Sequence, residues 1–189
     1  RPWAAVAFDV IALAVTVLEL GLYWQFLDPL FPKRTSYNAV GVQPPRREVK
    51  RRIILGGHSD AAYEWRYHLL HPALLKLMIL GSTAGLGYKL VTDVISALFL
   101  GPPASPLSFS GILGITQIVL TPFFIALFFF SRFSRTVPGA NDNLTGTFIA
   151  LAVVKYLQET GTRLEHTELR CLITGSEEAG LRGAKAYVK

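Results

Sequence analysis

Residues 112–130 (ILGITQIVLTPFFIALFFF) run nineteen positions without a charge, and this stretch restricts the possible folds more than any other. About twenty apolar residues in a helix match the hydrocarbon thickness of a bilayer. A second apolar segment, 73–100, precedes it and is interrupted by Lys76, Lys89 and Asp93. Between them GPPASPLSFSG (101–111) reads as a loop by its Gly, Pro and Ser content. The pattern predicts a helical hairpin dipping into a membrane over 69–131; the alternative is a pair of buried helices in a larger soluble core. A third apolar segment, 3–27, is also long enough to span. Asp9 and Glu19 interrupt it, which leaves a buried or interfacial helix open, while Trp3, Tyr23 and Trp24 sit near its ends as an aromatic belt would. It lacks the charged start, short apolar core and small-residue cleavage site of a signal peptide.

The apolar share of 51% is concentrated in these segments, whereas 32–68 and 131–189 read like a soluble protein. The chain starts at Arg1 and stops at Lys189 just after a helical segment, so we read it as a fragment. Much of the net charge of +6 comes from clusters beside the apolar runs: Lys33-Arg34, Arg46-Arg47, Lys50-Arg51-Arg52, Arg132 and Arg135. No nucleic-acid-binding module accompanies them, and basic residues flanking apolar runs read as membrane-surface charge rather than a nucleic-acid interface. The single cysteine, Cys171, excludes an internal disulfide framework and lies in an apolar strand, where a buried inert thiol is expected.

The soluble parts alternate between strand and helix. Residues 36–43 and 49–56 look like strands joined by a Pro-Pro turn, the second carrying Ile53, Ile54 and Leu55, a continuous apolar run suited to a strand covered on both faces. Gly56-Gly57 ends it, where backbone can turn or approach a ligand closely. Residues 143–158 form a helical pattern stopped by Gly161, 169–174 (LRCLIT) a strand, and 179–188 the start of another helix. This alternation predicts an α/β layered domain. The expected organisation is an N-terminal apolar helix (1–31), the first part of an α/β domain (32–68), an inserted membrane hairpin (69–131) and the second part of the α/β domain (132–189).

Three loops deliver groups that suit a divalent transition metal. RRIILGGHSD (51–60) ends a strand in His58-x-Asp60, VPGANDNLTG (137–146) places Asp142 before a helix, and Glu177-Glu178 follow LRCLIT through a Gly-Ser step. Loops at the carboxyl ends of strands are where α/β sheets bind ligands, and His with carboxylates is a transition-metal donor set. His58 reads as a ligand, with Asp60 fixing its tautomer and orientation. Asp142 reads either as a helix N-cap or, since Asn143 caps equally well, as a carboxylate free to bridge two ions about 3.5–4 Å apart. Of the adjacent glutamates one can bind metal while the other handles a proton. His68 and His71, at helical spacing and without a nearby acidic partner, read as juxtamembrane polar residues; Glu64, Trp65 and Arg66 remain open as pocket-shaping residues.

These motifs, in this order, resemble the M28 family of zinc aminopeptidases over residues 36–60 and 137–189. The resemblance implies a three-layer zinc-exopeptidase-like mixed sheet with helices on both faces, here with inserted transmembrane helices, and two co-catalytic zinc ions. It implies His58 as a terminal zinc ligand, Asp60 as its orienting catalytic partner, Asp142 as the bridging carboxylate, Glu177 as general base and Glu178 as ligand of the other zinc. A further Asp and a last His would come from downstream strands beyond Lys189. The resemblance covers neither the apolar N-terminal segment nor the apolar insertion between Asp60 and Asp142.

The expected function is therefore a membrane-associated zinc-dependent exopeptidase, an aminopeptidase acting on peptides. A glutaminyl-cyclase-type zinc acyltransferase of the same fold, or a non-catalytic membrane protein retaining it, are the alternatives. Both ends of the hairpin must emerge on one side of the membrane, and they carry Arg66, Lys76, Arg132 and Arg135 while the loop 101–111 is uncharged. Basic residues near span ends favour the cytoplasm, so a multi-pass membrane protein with a cytoplasmic active site is expected. Oligomeric state, substrate side-chain preference and the choice between amino- and carboxypeptidase are not legible.

Overall fold

The computed structural model describes residues 2–189. In chain order its elements are α1 (Pro2–Ala14), β1 (Ala39–Gln43), β2 (Arg51–His58), β3 (Tyr63–Trp65), α2 (Arg66–Leu70), α3 (Pro72–Ile95), α4 (Phe109–Phe128), β4 (Ser131–Thr136), α5 (Thr145–Glu159), β5 (Thr167–Thr174) and α6 (Arg182–Val188). They fall into two compact units: a helical one formed by residues up to Leu27 and Tyr63–Arg135, and an α/β one formed by Asp28–Ala62 and Thr136–Lys189.

In the helical unit, α1 continues through a π-helical turn to Gly21 and α3 through another to Leu100. The resulting stretches Pro2–Gly21, Pro72–Leu100 and Phe109–Phe128 hold 20, 29 and 20 residues, each long and apolar enough to cross a membrane. Helix α3 starts at Pro72 and is capped by His71. Pro72 occupies the first turn, where its missing N–H is no loss, and His71 Nδ1 accepts from Ala73 N–H. Helix α4 is capped by Ser108, whose hydroxyl accepts from Gly111 N–H.

Helix α3 packs against both α1 and α4. Against α4 it presents Gly81 and Gly85, four residues apart, to Phe123 and Phe124. A Cβ at Gly81 would stand 2.6 Å from the Phe123 ring, so only glycine admits this approach. One polar cluster joins all three helices. Lys89 Nζ lies 2.9 Å from Asp9 Oδ1 of α1 and 2.6 Å from Asp93 Oδ2, and Gln117 of α4 donates to Asp93 Oδ1 at 2.7 Å. At the start of α3 and the end of α4, β3 and β4 form a separate two-stranded ribbon.

The α/β unit is built on a mixed three-stranded sheet in the order β1-β5-β2. Strand β5 is central, antiparallel to β1 and parallel to β2, with Leu55 opposite Cys171 and His58 opposite Thr174. Leu169, Cys171 and Leu172 of β5 are buried, as an inner strand requires, and α5 packs on β2 and β5, adding Ala150 to the core. Cys171 is a free, buried thiol whose pKa burial raises, which keeps it protonated.

Three local expectations are corrected. Strand β2 runs through Gly56-Gly57 to His58 instead of ending there. The glycines serve close packing within the strand: a Cβ at Gly56 would lie 2.7 Å from Leu172 O, and one at Gly57 2.5 Å from Thr147 N at the start of α5. Ile53 and Ile54 are 40% and 51% exposed rather than covered on both faces, because β2 is an edge strand of this sheet. Helix α6 begins at Arg182, not at Ala179. A tight turn occupies 177–181, closed by Gly180 and Leu181 N–H to Glu177 O, with Ser176 and Leu181 in the left-handed region at φ 56° and 57°.

Candidate metal centre

All five candidate site residues lie in the α/β unit, where β2, the start of α5 and the end of β5 meet. The ladder between β2 and β5 continues one step past His58, Ser59 N–H donating to Thr174 O at 2.9 Å. This holds the imidazole at the strand's end. Behind it the buried Thr147 hydroxyl donates to His58 O at 3.0 Å, tying the first turn of α5 to the same residue.

The His58 side chain is only 6% exposed, and acidic groups surround it. Its Nε2 lies 3.1 Å from Asp142 Oδ1 and 3.4 Å from Glu177 Oε2. One ligand atom each from His58, Glu177 and Glu178 lie within 4.8 Å of one another, a spacing that a single cation can bridge. Its Nδ1 lies 3.1 Å from the backbone oxygen of Asp60, with the Asp60 carboxylate further off at 3.7 Å. An N–H on Nδ1 donated to that backbone oxygen leaves the Nε2 lone pair for a metal.

The Asp60 carboxylate has its own partners. Oδ1 accepts the Glu177 N–H at 3.1 Å and Oδ2 the Glu178 N–H at 3.0 Å. One residue thus orients the imidazole through its backbone and pins the acidic loop through its side chain. Charge-assisted bonds of this kind are among the stronger hydrogen bonds.

Asp142 does not cap α5. Asn143 does, its Oδ1 accepting from Gly146 N–H at 3.0 Å. Asp142 and Asn143 depart from helical geometry, their shared peptide is cis, and the Asp142 side chain is 82% exposed at the mouth of the site. Gly139, at φ 68°, turns the chain into this segment and accepts Leu144 N–H.

Electrostatics follow from the crowding of carboxylates. Burial works against a charged His58, but the Asp60 backbone oxygen, Glu177, Asp142 and the Asp60 carboxylate outweigh it and raise the imidazole pKa. The Glu178 carboxyl is raised first by burial, then by Asp142, Glu177 and Asp60, with His58 opposing. A site that strains to hold its negative charge without a cation is chemically suited to one.

Two supporting residues were not apparent from the chain alone. Asn38, just before β1, donates from Nδ2 to Gly183 O at 2.8 Å and accepts Gly175 N–H on Oδ1 at 3.2 Å, tying the two ends of the Glu177-Glu178 loop together. Asp28 holds Arg182 at the start of α6 through both guanidinium nitrogens. Neither belongs to a motif; an asparagine before a short strand carries no signal. His68, His71 and Glu64 lie in the helical unit. His71 caps α3, and Glu64 is buried between Arg132 and Arg135 at 3.2 and 3.3 Å.

Residues 128–189, 62 of the 189, match the sequence model of Peptidase family M28, a family of metallopeptidases that are typically zinc-dependent. The match includes Asp142, Glu177 and Glu178 and supports membership of that family. Searches of curated proteins and of solved structures give no match.

Proposed function

We propose, with membership of peptidase family M28 as the premise, that this chain carries the catalytic centre of a membrane-associated zinc exopeptidase, an aminopeptidase acting on peptides. The carrying observation is the convergence of His58, Asp142, Glu177 and Glu178 from three separate elements on one point at the strand ends. The donor set fits zinc: one imidazole with a free Nε2 and several carboxylates. His58 and Glu178 would hold metal, and Asp142, exposed at the mouth, would bridge to a second ion. Zinc bound there would supply Lewis acidity to the scissile carbonyl and to the attacking water.

The protein's own part is proton transfer and positioning. Glu177 receives a proton from the attacking water on its carboxylate and returns it to the leaving amine, so the proton count closes over one turnover. Asp60 keeps Glu177 and Glu178 in place through their N–H groups. In this reading the sheet, with α5 packed on it, belongs to a three-layer exopeptidase sandwich, and the helical unit is its membrane insertion. The expected domain limits stay as proposed: 1–31, 32–68, 69–131 and 132–189.

Glu177→Gln in the full-length protein keeps shape and removes the base. It should retain two zinc ions per chain while kcat falls by roughly 10²–10⁴. Near-normal turnover removes Glu177 from the mechanism, and one ion per chain removes the two-metal reading. We place the site on the cytoplasmic side, on the basic residues at the hairpin ends. Single cysteines at Ser105 and at Ser36, probed in intact cells with an impermeant thiol reagent, test this. Labelling at Ser36 but not Ser105 reverses it.

A further inference from the structure

We infer that the β3–β4 ribbon is a binding surface for anionic lipid headgroups; this rests on reading α3 and α4 as membrane spans. The ribbon continues the hairpin at both ends. Arg66 opens α2 directly after Trp65 of β3 and leads into α3, and only Phe129 and Phe130 separate α4 from β4. Arg66 N–H donates to Phe130 O at 2.9 Å, closing the neck. At the end of two bilayer-length helices a segment falls in the headgroup zone, where aromatic belts and basic side chains concentrate.

Its surface chemistry is that of the zone. Two-stranded ribbons are marginal in water without a face to pack on, yet β4 is exposed from Arg132 to Thr136. Its aromatic residues gather in edge contacts: Tyr63 with Phe133 at 5.3 Å between ring centres, and Phe130 with Tyr67 at 6.4 Å. Trp65 rests on Phe130 at 5.3 Å, and Phe133 remains 72% exposed. Around them stand Arg66, Arg132 and Arg135 against the one carboxylate of Glu64. Glu64 is buried and holds Arg132 and Arg135 on the ribbon, while 48% and 65% of their side chains stay open to solvent. Arg66 is exposed and has no ion-pair partner among the described residues. A planar guanidinium presents paired donors to a phosphate, so the excess of cations points to anionic headgroups.

The test uses the full chain with every tryptophan but Trp65 replaced by phenylalanine, Trp3 and Trp24 among them, leaving Trp65 as the reporter. It is reconstituted in phosphatidylcholine bilayers carrying equal fractions of either brominated phosphatidylglycerol or brominated phosphatidylcholine. Stronger quenching of Trp65 by the brominated anionic lipid is expected. The preference should disappear in Arg66→Gln/Arg135→Gln, return in Arg66→Lys/Arg135→Lys, and persist in the remote Lys155→Gln. Alkaline carbonate extraction separates the two levels of the reading. Retention in the membrane with equal quenching by both lipids overturns the headgroup surface alone. Release by carbonate removes the membrane spans and the surface with them.

Discussion

The two units differ in what they bury: among the described residues only the α/β unit buries hydrophobic side chains, and it buries His58, Thr147, Thr167 and Thr174 beside them. The buried hydrophobic side chains, Ala150, Leu169, Cys171 and Leu172, all belong to the α/β unit. In the helical unit the buried polar and charged positions are Asp9, Glu64, Ser82, Thr92 and Asp93, while Phe8, Leu20, Leu80, Phe99, Ile118 and Phe128 are each more than half exposed. A chain in water hides apolar surface because water drives it inward. A chain in hydrocarbon gains nothing by that, and turns polar groups inward because lipid cannot satisfy them. The inward polar cluster and apolar exterior of the helical unit are what the proposed membrane insertion requires.

The largest effect that would sharpen this contrast comes from Lys89. Lys89→Met leaves Asp9 and Asp93 together in the helix bundle without their cation, and breaking such a buried pair should destabilise by about 3–5 kcal/mol. Arg52→Met in the α/β unit removes an exposed pairing with Glu168, and should change stability by less than about 1 kcal/mol. Unfolding of both variants in the same detergent compares them directly. Equal small losses would break the distinction.

Next in size is Asp142→Ala. Zinc affinity should fall by more than the roughly 10–100-fold typical of losing a carboxylate that only supports a ligand, because Asp142 would itself bridge the ions. Stability of the metal-free chain should move by less than about 0.5 kcal/mol, since Asn143 keeps the cap. Zinc titration alongside thermal unfolding reads both. A purely structural loss with normal zinc binding would restore the capping role.

The smallest effect is in pH. His58 and Glu178 both have raised pKa values in the metal-free fold, starting from ordinary values of 6.5 and 4.5. A raised pKa means the folded state binds its proton more tightly than the unfolded chain. Its contribution is full below the unfolded value and lost as pH rises through the folded one. Zinc-stripped protein should therefore lose stability, relative to His58→Gln/Glu178→Gln, as pH rises past those values. Added zinc should cancel the trend, because it takes the deprotonated ligands. A flat difference between the two proteins would show that the acidic crowding has no energetic consequence.

The chain's own order of residues was enough for several features. A charge-free run of bilayer length is read as a helix long enough to span, and α4 is a helix of 20 residues there, long and apolar enough to cross a membrane. The apolar run LRCLIT reads as a strand, and β5, spanning it, is the most buried strand. Local rules also foresaw that Asn143 could cap α5 and leave Asp142 free. Other features depend on contacts between distant positions, which no local pattern encodes. The exposure of Ile53 and Ile54 follows from β2 lying at the sheet edge, and periodicity cannot tell an edge from a centre. The bonds of Asp60 to the Glu177 and Glu178 N–H groups, and of Asn38 across the same loop, link residues more than a hundred positions apart. What the sequence by itself determined was which segments are apolar and where the imidazoles and carboxylates stand along the chain, because hydrophobicity and ionisable groups are properties of single residues and short runs. Only the tertiary structure decided that His58 and Asp142 stand 3.1 Å apart and that Lys89 binds two helices at once, because distance between remote side chains is set by how the whole backbone packs.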